Sequence, residues 1–378
     1  MRKDVAVMDT MGIIFSNIYD SMMGALTEVR TSASIPVGGR YRQIDFILSS
    51  MSGSGIRHIG IITKYNYQSL MDHLGSCQEW DLQLNTHGVV FVPPYATGHT
   101  GIYRGKLEAL HTALPVLESG NQDYVVLADS NIMCAIDFTK VLDAHVESGA
   151  DVTIVAKGGI ANGKDIQHFS LSTDEKNRAT GMAVDYTAPA GDLVGMGMFV
   201  MSRKKLIETI YETVPHGKYH LERDFIMDEF NNGKLSVNVY PFQGVALFNQ
   251  DLESYYKNNM ALLDQNVRNS LFRGELPIYT KVRDEVPTHY GNHAEIADCV
   301  VADGCRLFGK MENSVVFREV MVEEGAEVRD SIVMQGSTIE RGASIQYTIL
   351  DKNVTVRSGT RLLGSPEHPL IIRKGVTV

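Results

Sequence analysis

Cysteine is scarce in this chain of 378 residues: Cys77, Cys134, Cys299 and Cys305 are scattered, with no C-x-x-C pair among them. That pattern excludes a disulfide scaffold and a cysteine zinc site, and reduced thiols are expected. Tryptophan occurs once, as Trp80, and is read as a packing anchor. No stretch approaches the roughly 20 consecutive apolar residues that a membrane helix needs. The apolar run at the start is interrupted by Asp4 and Asp9, so no signal peptide is expected and a cytoplasmic location follows. Basic runs are also missing. Lys plus Arg total 35 against 45 Asp plus Glu, a net charge of −10, which argues against nucleic acid or an anionic membrane as partner. The chemistry motifs H-E-x-x-H and G-x-S-x-G do not occur. No glycine-rich phosphate loop follows the first apolar run; the turn there reads Ser16-Asn17-Ile18-Tyr19-Asp20-Ser21-Met22.

What is present is a change of pattern along the chain. Residues 1–265 alternate short apolar runs with amphipathic stretches. Gly12–Phe15, Ile56–Thr63, Tyr124–Ala128 and Asp151–Ala156 read as strands; Tyr65–Leu74, Gly105–Leu117 and Phe138–Ser148 read as helices. This predicts an α/β domain with a mostly parallel sheet, whose ligand crevice lies at the carboxyl ends of the strands. The turns after Phe15 and Ala128 are therefore where chemistry is expected. Residues 266–290 are expected to be a linker. In 291–378 helical periodicity disappears, and aliphatic residues recur about every six positions: Val316, Val322, Val328, then Ile339 and Ile345. That spacing predicts a three-faced solenoid with one inward aliphatic per face. Its last stretch, with Pro366 and Pro369, is expected to act as a cap.

Few residues outside these patterns suggest chemistry. Pro36-Val37-Gly38-Gly39-Arg40-Tyr41-Arg42 is a tight turn with two arginines, suited either to an anion or subunit contact or to a plain structural loop. Arg104 and Lys106 stand beside a rigid loop edge and are read as an exposed basic pair, more often solvated than ligand-bound. His220, among charges, is read as a surface or interface residue.

Longer segments carry a family resemblance. The stretches IPVGGRYRQIDFILSS (Ile35–Ser50), SGIRHIGIITKYNYQSLMDHLG (Ser54–Gly75), WDL (Trp80–Leu82), VPPY (Val92–Tyr95), YRG (Tyr103–Gly105), HVESGADVTIVAK (His145–Lys157) and ESYYKNNMALL (Glu253–Leu263) keep the order and spacing of the glucose-1-phosphate adenylyltransferase (ADP-glucose pyrophosphorylase) family. The resemblance covers nearly the whole chain. It implies a GT-A-like, Rossmann-type nucleotidyltransferase domain followed by a left-handed parallel β-helix of hexapeptide repeats. It also implies a tetrameric assembly and a place in bacterial glycogen synthesis.

Set beside that family, the chain departs where chemistry is done. Catalytic members join glucose 1-phosphate to the α-phosphate of ATP, with Mg²⁺ on carboxylates and a glycine loop around the phosphates. Here the loop pattern G-G-x-G-x-R falls on Asn17, Ile18, Tyr19, Asp20, Ser21 and Met22. The lysine of R-x-K-P falls on Ser32, while its arginine survives as Arg30. The two metal aspartates fall on Asn131 and Phe248, and the sugar-phosphate lysine falls on Asp185. Tyr103, Gly105 and Asp224 keep their family identities. The resemblance therefore implies a non-catalytic, regulatory GlgD-type subunit with no catalytic residues, metal or cofactor of its own, Mg²⁺ entering only through a catalytic partner in a hetero-oligomer, expected to be a tetramer. Arg30, Arg40, Arg42, Tyr103 and Gly105 remain as candidates for a sugar-phosphate or nucleotide effector. The alternatives are an active enzyme using Asp129 and Asp251 as displaced metal ligands, and a metabolite sensor.

Overall fold

The structure, a computed structural model, describes residues 10–17, 20–83, 88–94, 103–158, 169–184 and 192–378. Its amino-terminal part is built on a nine-stranded sheet: β1 (Thr10–Phe15), β2 (His58–Ile62), β3 (Val89–Val92), β4 (Tyr124–Asp129), β5 (Val152–Lys157), β6 (Phe169–Thr173), β7 (Ala179–Val184), β8 (Leu193–Ser202) and β9 (Val237–Pro241). β1 lies parallel between β2 and β4, and β3 extends the parallel run beyond β2. β8 reverses direction against β4 and β5, and β9 runs parallel to β5. The central strands are covered on both faces, so they read as continuous apolar runs rather than alternating ones. Met11, Ile13 and Leu127 face one buried cluster; Ile14, Val126 and Ala128 face the other.

The helices follow the expected places with local differences. Gln43–Gly53 (α1) begins on Asp45, whose Oδ2 accepts the Arg42 amide at 2.9 Å. The segment expected as a helix from Tyr65 starts only at Gln68 (α2, Gln68–Leu74), because Asn66 turns with φ 54°. The stretch 105–117 breaks into α3 (Lys106–Thr112) and α4 (Leu114–Ser119), with Pro115 in the first turn of the second, where a missing amide costs nothing. Phe138–Ser148 (α5) is capped by Asp137 and ends on Gly149 in the left-handed region. Arg203–Thr213 (α6) packs on α3 and α4. A wide turn, Leu221–Met227, runs into α7 (Asp228–Asn231), and α8 (Leu252–Ala261) and α9 (Gln265–Phe272) follow. Thus α9 occupies the start of the span expected as linker. Trp80 is buried, with its indole N–H donating to Ser49 Oγ at 3.1 Å.

From His289 the chain winds into a parallel β-helix of three five-stranded faces. The inward aliphatics step from face to face as Val316, Val322, Val328, Val333, Ile339, Ile345, Leu350 and Val356. Most steps are six residues; the step into the third face is five, so Val328 is followed by Val333 and Ile345 by Leu350. The short corner is made by Asp298, Asn313, Asp330 and Tyr347, all with φ between 45° and 49°. Asn and Asp tolerate that conformation better than most residues. Asn313 and Asp330 also stack there, with an amide-to-carboxylate bond of 2.6 Å. The tail expected to cap the solenoid supplies Leu370–Ile372, the last strand of the third face.

The two parts share a buried seam. Tyr256 donates to the Asp330 carbonyl across it at 2.6 Å, while its neighbour Tyr255 donates to the Pro36 carbonyl within the amino-terminal part, also at 2.6 Å. Arg30 reaches Asp351 at 2.9 Å, both side chains almost wholly buried. One apolar cluster joins Val37, Phe46 and Tyr255 to Val315, Ile332 and Ile349.

Candidate functional site

A cleft of about 550 Å³ opens at the carboxyl ends of β1, β2 and β4, where an α/β sheet places its ligands. Phe15, Ser16 and Asn17 come from the end of β1, Ile62 and Lys64 from β2, Asp129 and Asn131 from β4. Tyr103 and Gly105 line the same cleft, as do Phe248 and His220. His220, read from sequence as a surface residue, is a half-buried cleft residue.

The floor is an ion triad. Lys106 Nζ lies 2.9 Å from Asp129 Oδ2 and 2.5 Å from Glu222 Oε1. It also sits 5.5 Å over the Phe15 ring and 5.4 Å over the Phe199 ring, distances at which an aromatic face attracts a cation. Lys106 is only 9% exposed, which corrects its reading as a solvated basic residue. Burial pushes the Asp129 carboxyl up to about 6 even though Lys106 pulls it down: desolvation outweighs the one ammonium, which Asp129 shares with Glu222. Gly197 makes this packing possible, since a Cβ there would stand 2.1 Å from Asp129 Oδ2.

The positions matched to the family's metal aspartates also lie here. Ile132–Met133 pairs with Leu247–Phe248, which brings Asn131 and Phe248 to the same wall. Asn131 is 3% exposed, and its Oδ1 has no hydrogen-bond partner among the described residues. Asp251 is spent elsewhere: its carboxylate caps α8, accepting the Ser254 amide at 2.7 Å. Asp185 lies outside the described residues. In the turn after β1, Asp20 is buried and its Oδ1 accepts the Ser32 amide at 2.8 Å. Burial holds its carboxyl above the ordinary value. The chain thus places a buried carboxylate on a backbone amide in the turn after β1.

The five effector candidates do not form one pocket. Tyr103 is buried in the cleft wall, its hydroxyl donating to the Thr63 carbonyl and pushed up to about 12 by burial. Gly105 has a steric role: a Cβ would meet the Tyr219 carbonyl oxygen at 2.3 Å. Arg30 is consumed by Asp351 at the seam. Arg40 and Arg42 line a second, narrow groove between the two parts, together with Lys281, Arg283, Arg318 and Lys352. Arg42 there also donates to the Ser69 carbonyl and hydroxyl at 2.8 Å. The sequence drew attention to Arg40 and Arg42, but Lys281, Arg283, Arg318 and Lys352 carry no local signal. Nothing short of the fold collects them. Glu222 was missed for the same reason.

A sequence profile described as "Nucleotidyl transferase" matches residues 22–171, and one described as "GlmU-like, C-terminal hexapeptide" matches 284–368. The chain is 35% identical over 366 residues to "Glycogen biosynthesis protein GlgD" of Bacillus subtilis (strain 168), covering 97% of this chain and 96% of that protein. It is 38% identical to "Glycogen biosynthesis protein GlgD" of Geobacillus stearothermophilus over the same shares. The chain is a GlgD-type member of the glucose-1-phosphate adenylyltransferase family. A "Glucose-1-phosphate adenylyltransferase" of Clostridium perfringens (strain SM101 / Type A) is 30% identical over 85% of this chain and 83% of its own length. A nucleotidyl-transferase part and a hexapeptide β-helix are therefore both present in this GlgD-type chain. Among the described residues no group of three or more His, Cys, Asp or Glu side chains converges as a metal cluster, and no helix is long and apolar enough to cross a membrane.

Proposed function

We propose that this chain is a regulatory, catalytically silent subunit of glucose-1-phosphate adenylyltransferase, assembling with a catalytic homologue in a hetero-oligomer, as a tetramer, in glycogen synthesis. The observation that carries the reading is the cleft floor. Joining ATP to glucose 1-phosphate demands that the triphosphate's charge be offset and the reactants be held in line. Mg²⁺ prefers an octahedron of oxygens anchored by carboxylates. Asn131 offers one neutral oxygen, Phe248 offers none, and Asp129 is engaged by Lys106. These residues do not fit the ion. Losing a single electrostatic contact in a site of this kind costs about 10²–10³ in rate, and several are missing at once. The alternative with Asp129 and Asp251 as displaced ligands is disfavoured by Lys106 on the first and the helix cap on the second.

The effector role falls to the interdomain groove. Its cations stand close together: Lys352 is pulled down to about 7 by burial and by Arg42 and Arg30. Arg318 keeps Nε and Nη2 without hydrogen-bond partners among the described residues. The enclosed space is about 40 Å³, too small for a sugar phosphate, so such an anion would bind from the mouth. Co-expression with the catalytic homologue tests the function. The expected result is a mixed oligomer by size measurement, ADP-glucose synthesis that differs in rate or effector response from the homologue alone, and negligible synthesis by this chain alone. Turnover at ordinary enzymatic rates by the isolated chain would overturn it.

A further inference from the structure

We infer that Lys106 is a resident cation: its ammonium holds the place between Asp129 and Glu222 that a divalent ion would need, and so closes the cleft to metal. The inference rests on the reading of the cleft as non-catalytic and says how that state is maintained. Three observations carry it. Nζ touches both carboxylates, at 2.9 Å and 2.5 Å, within the reach of strong charge-assisted bonds. The ammonium is fixed from the other side by the faces of Phe15 and Phe199, so it is not a mobile surface charge. Finally, two buried acceptors of the same cleft, Asp129 Oδ1 and Asn131 Oδ1, have no hydrogen-bond partner among the described residues. An oxygen left bare at 3% exposure is costly unless something fills the space.

The consequence is specific. With Lys106 in place, Asp129 and Glu222 share one positive charge and a metal would have to displace a buried, doubly paired ammonium. With the ammonium removed, Asp129 and Glu222 are left without the charge they share, in a cleft that Asn131 also lines, and carboxylate oxygens are the ligands that Mn²⁺ or Mg²⁺ prefers. The loss of Asp129 should then abolish the site.

The test is Mn²⁺ binding to the full chain, by calorimetry and by the loss of the free-ion electron-paramagnetic signal. The native chain, Asp129→Asn, Lys106→Ala, Lys106→Gln and Lys106→Ala/Asp129→Asn are compared. The expected result is at least about 10-fold tighter binding in Lys106→Ala than in the native chain, lost again in the double variant. Lys106→Gln, one bond shorter and uncharged, fills much of the same space and should behave like Lys106→Ala; it serves if the alanine variant does not fold. On the native chain, millimolar Mg²⁺ should leave the thermal midpoint unmoved. Tight Mn²⁺ binding by the native chain that Asp129→Asn removes, or no gain in either Lys106 variant, would overturn the inference. Neither result bears on the subunit role, which is judged by ADP-glucose synthesis in the mixed oligomer.

Discussion

Replacing Arg30 by methionine is the most searching perturbation of the seam between the two parts. Arg30 sits 2.9 Å from Asp351, with side-chain exposures of 2% and 1%. Its Nη1 also donates to the Leu26 carbonyl at 3.3 Å. Methionine fills most of the same volume, so the change is electrostatic. It leaves Asp351 charged in a place water does not reach, with Oδ1 accepting the Lys352 amide at 2.7 Å and Oδ2 unpartnered among the described residues. Stranding one member of a buried pair costs about 3–5 kcal/mol. For domains of this size that corresponds to a fall of roughly 6–20 °C in the unfolding midpoint. Lys352 lies next in the chain and can lend part of its charge, so the lower half of the range is expected. Arg30→Met/Asp351→Leu removes both charges and should recover most of the loss, since an apolar replacement of a buried pair is close to neutral. Circular dichroism during heating reads the transition, and a loss of coincidence between the two parts shows up as a second step. A loss below about 1 kcal/mol in Arg30→Met, the size of a surface pair, would refute the reasoning. So would a double variant less stable than the single one.

Three further outcomes follow from the same structure. Gly197→Ala should cost about 3 kcal/mol, because φ is +62° and the new methyl would collide with Asp129; denaturant unfolding checks it. His145 is buried, its Nδ1 2.9 Å from Thr153 Oγ1, and burial lowers its pKa to about 4. The folded value lies below the unfolded one, so its contribution is complete above the unfolded pKa and is lost as pH falls from about 6.5 towards 4. His145→Asn should therefore lose less stability than the parent over that window, by about 3 kcal/mol, in unfolding titrations at stepped pH. Lys352 is likewise held down, to about 7, so its contribution is present at high pH and lost as pH falls through that value. Lys352→Met should be more stable than the parent at pH 6, with the gap narrowing towards pH 10. Inorganic pyrophosphate should raise the midpoint of the parent more than that of the variant.

Sequence by itself determined the two-part plan. Apolar runs and helical stretches marked the parallel strands of what is a mixed sheet, because strands buried on both faces must be apolar throughout. The six-residue recurrence from Val316 to Val328 marked the solenoid because each face must send one aliphatic inward. The match of Asn131, Phe248 and Asp185 to the family's aspartate and lysine positions is an expectation from order along the chain alone. What the tertiary structure decided is who meets whom. Lys106 and Glu222 are 116 positions apart, and Arg30 and Asp351 further still; no local pattern tells that these charges pair away from water. Burial turned Lys106 from a solvated cation into the keystone of the cleft, put Tyr103 in the cleft wall away from Arg40 and Arg42, and gathered Lys281, Arg318 and Lys352 into one groove. Helix and strand are written in short-range spacing, whereas charge pairing and desolvation are set by distances across the folded molecule, and those exist only once the chain has closed on itself.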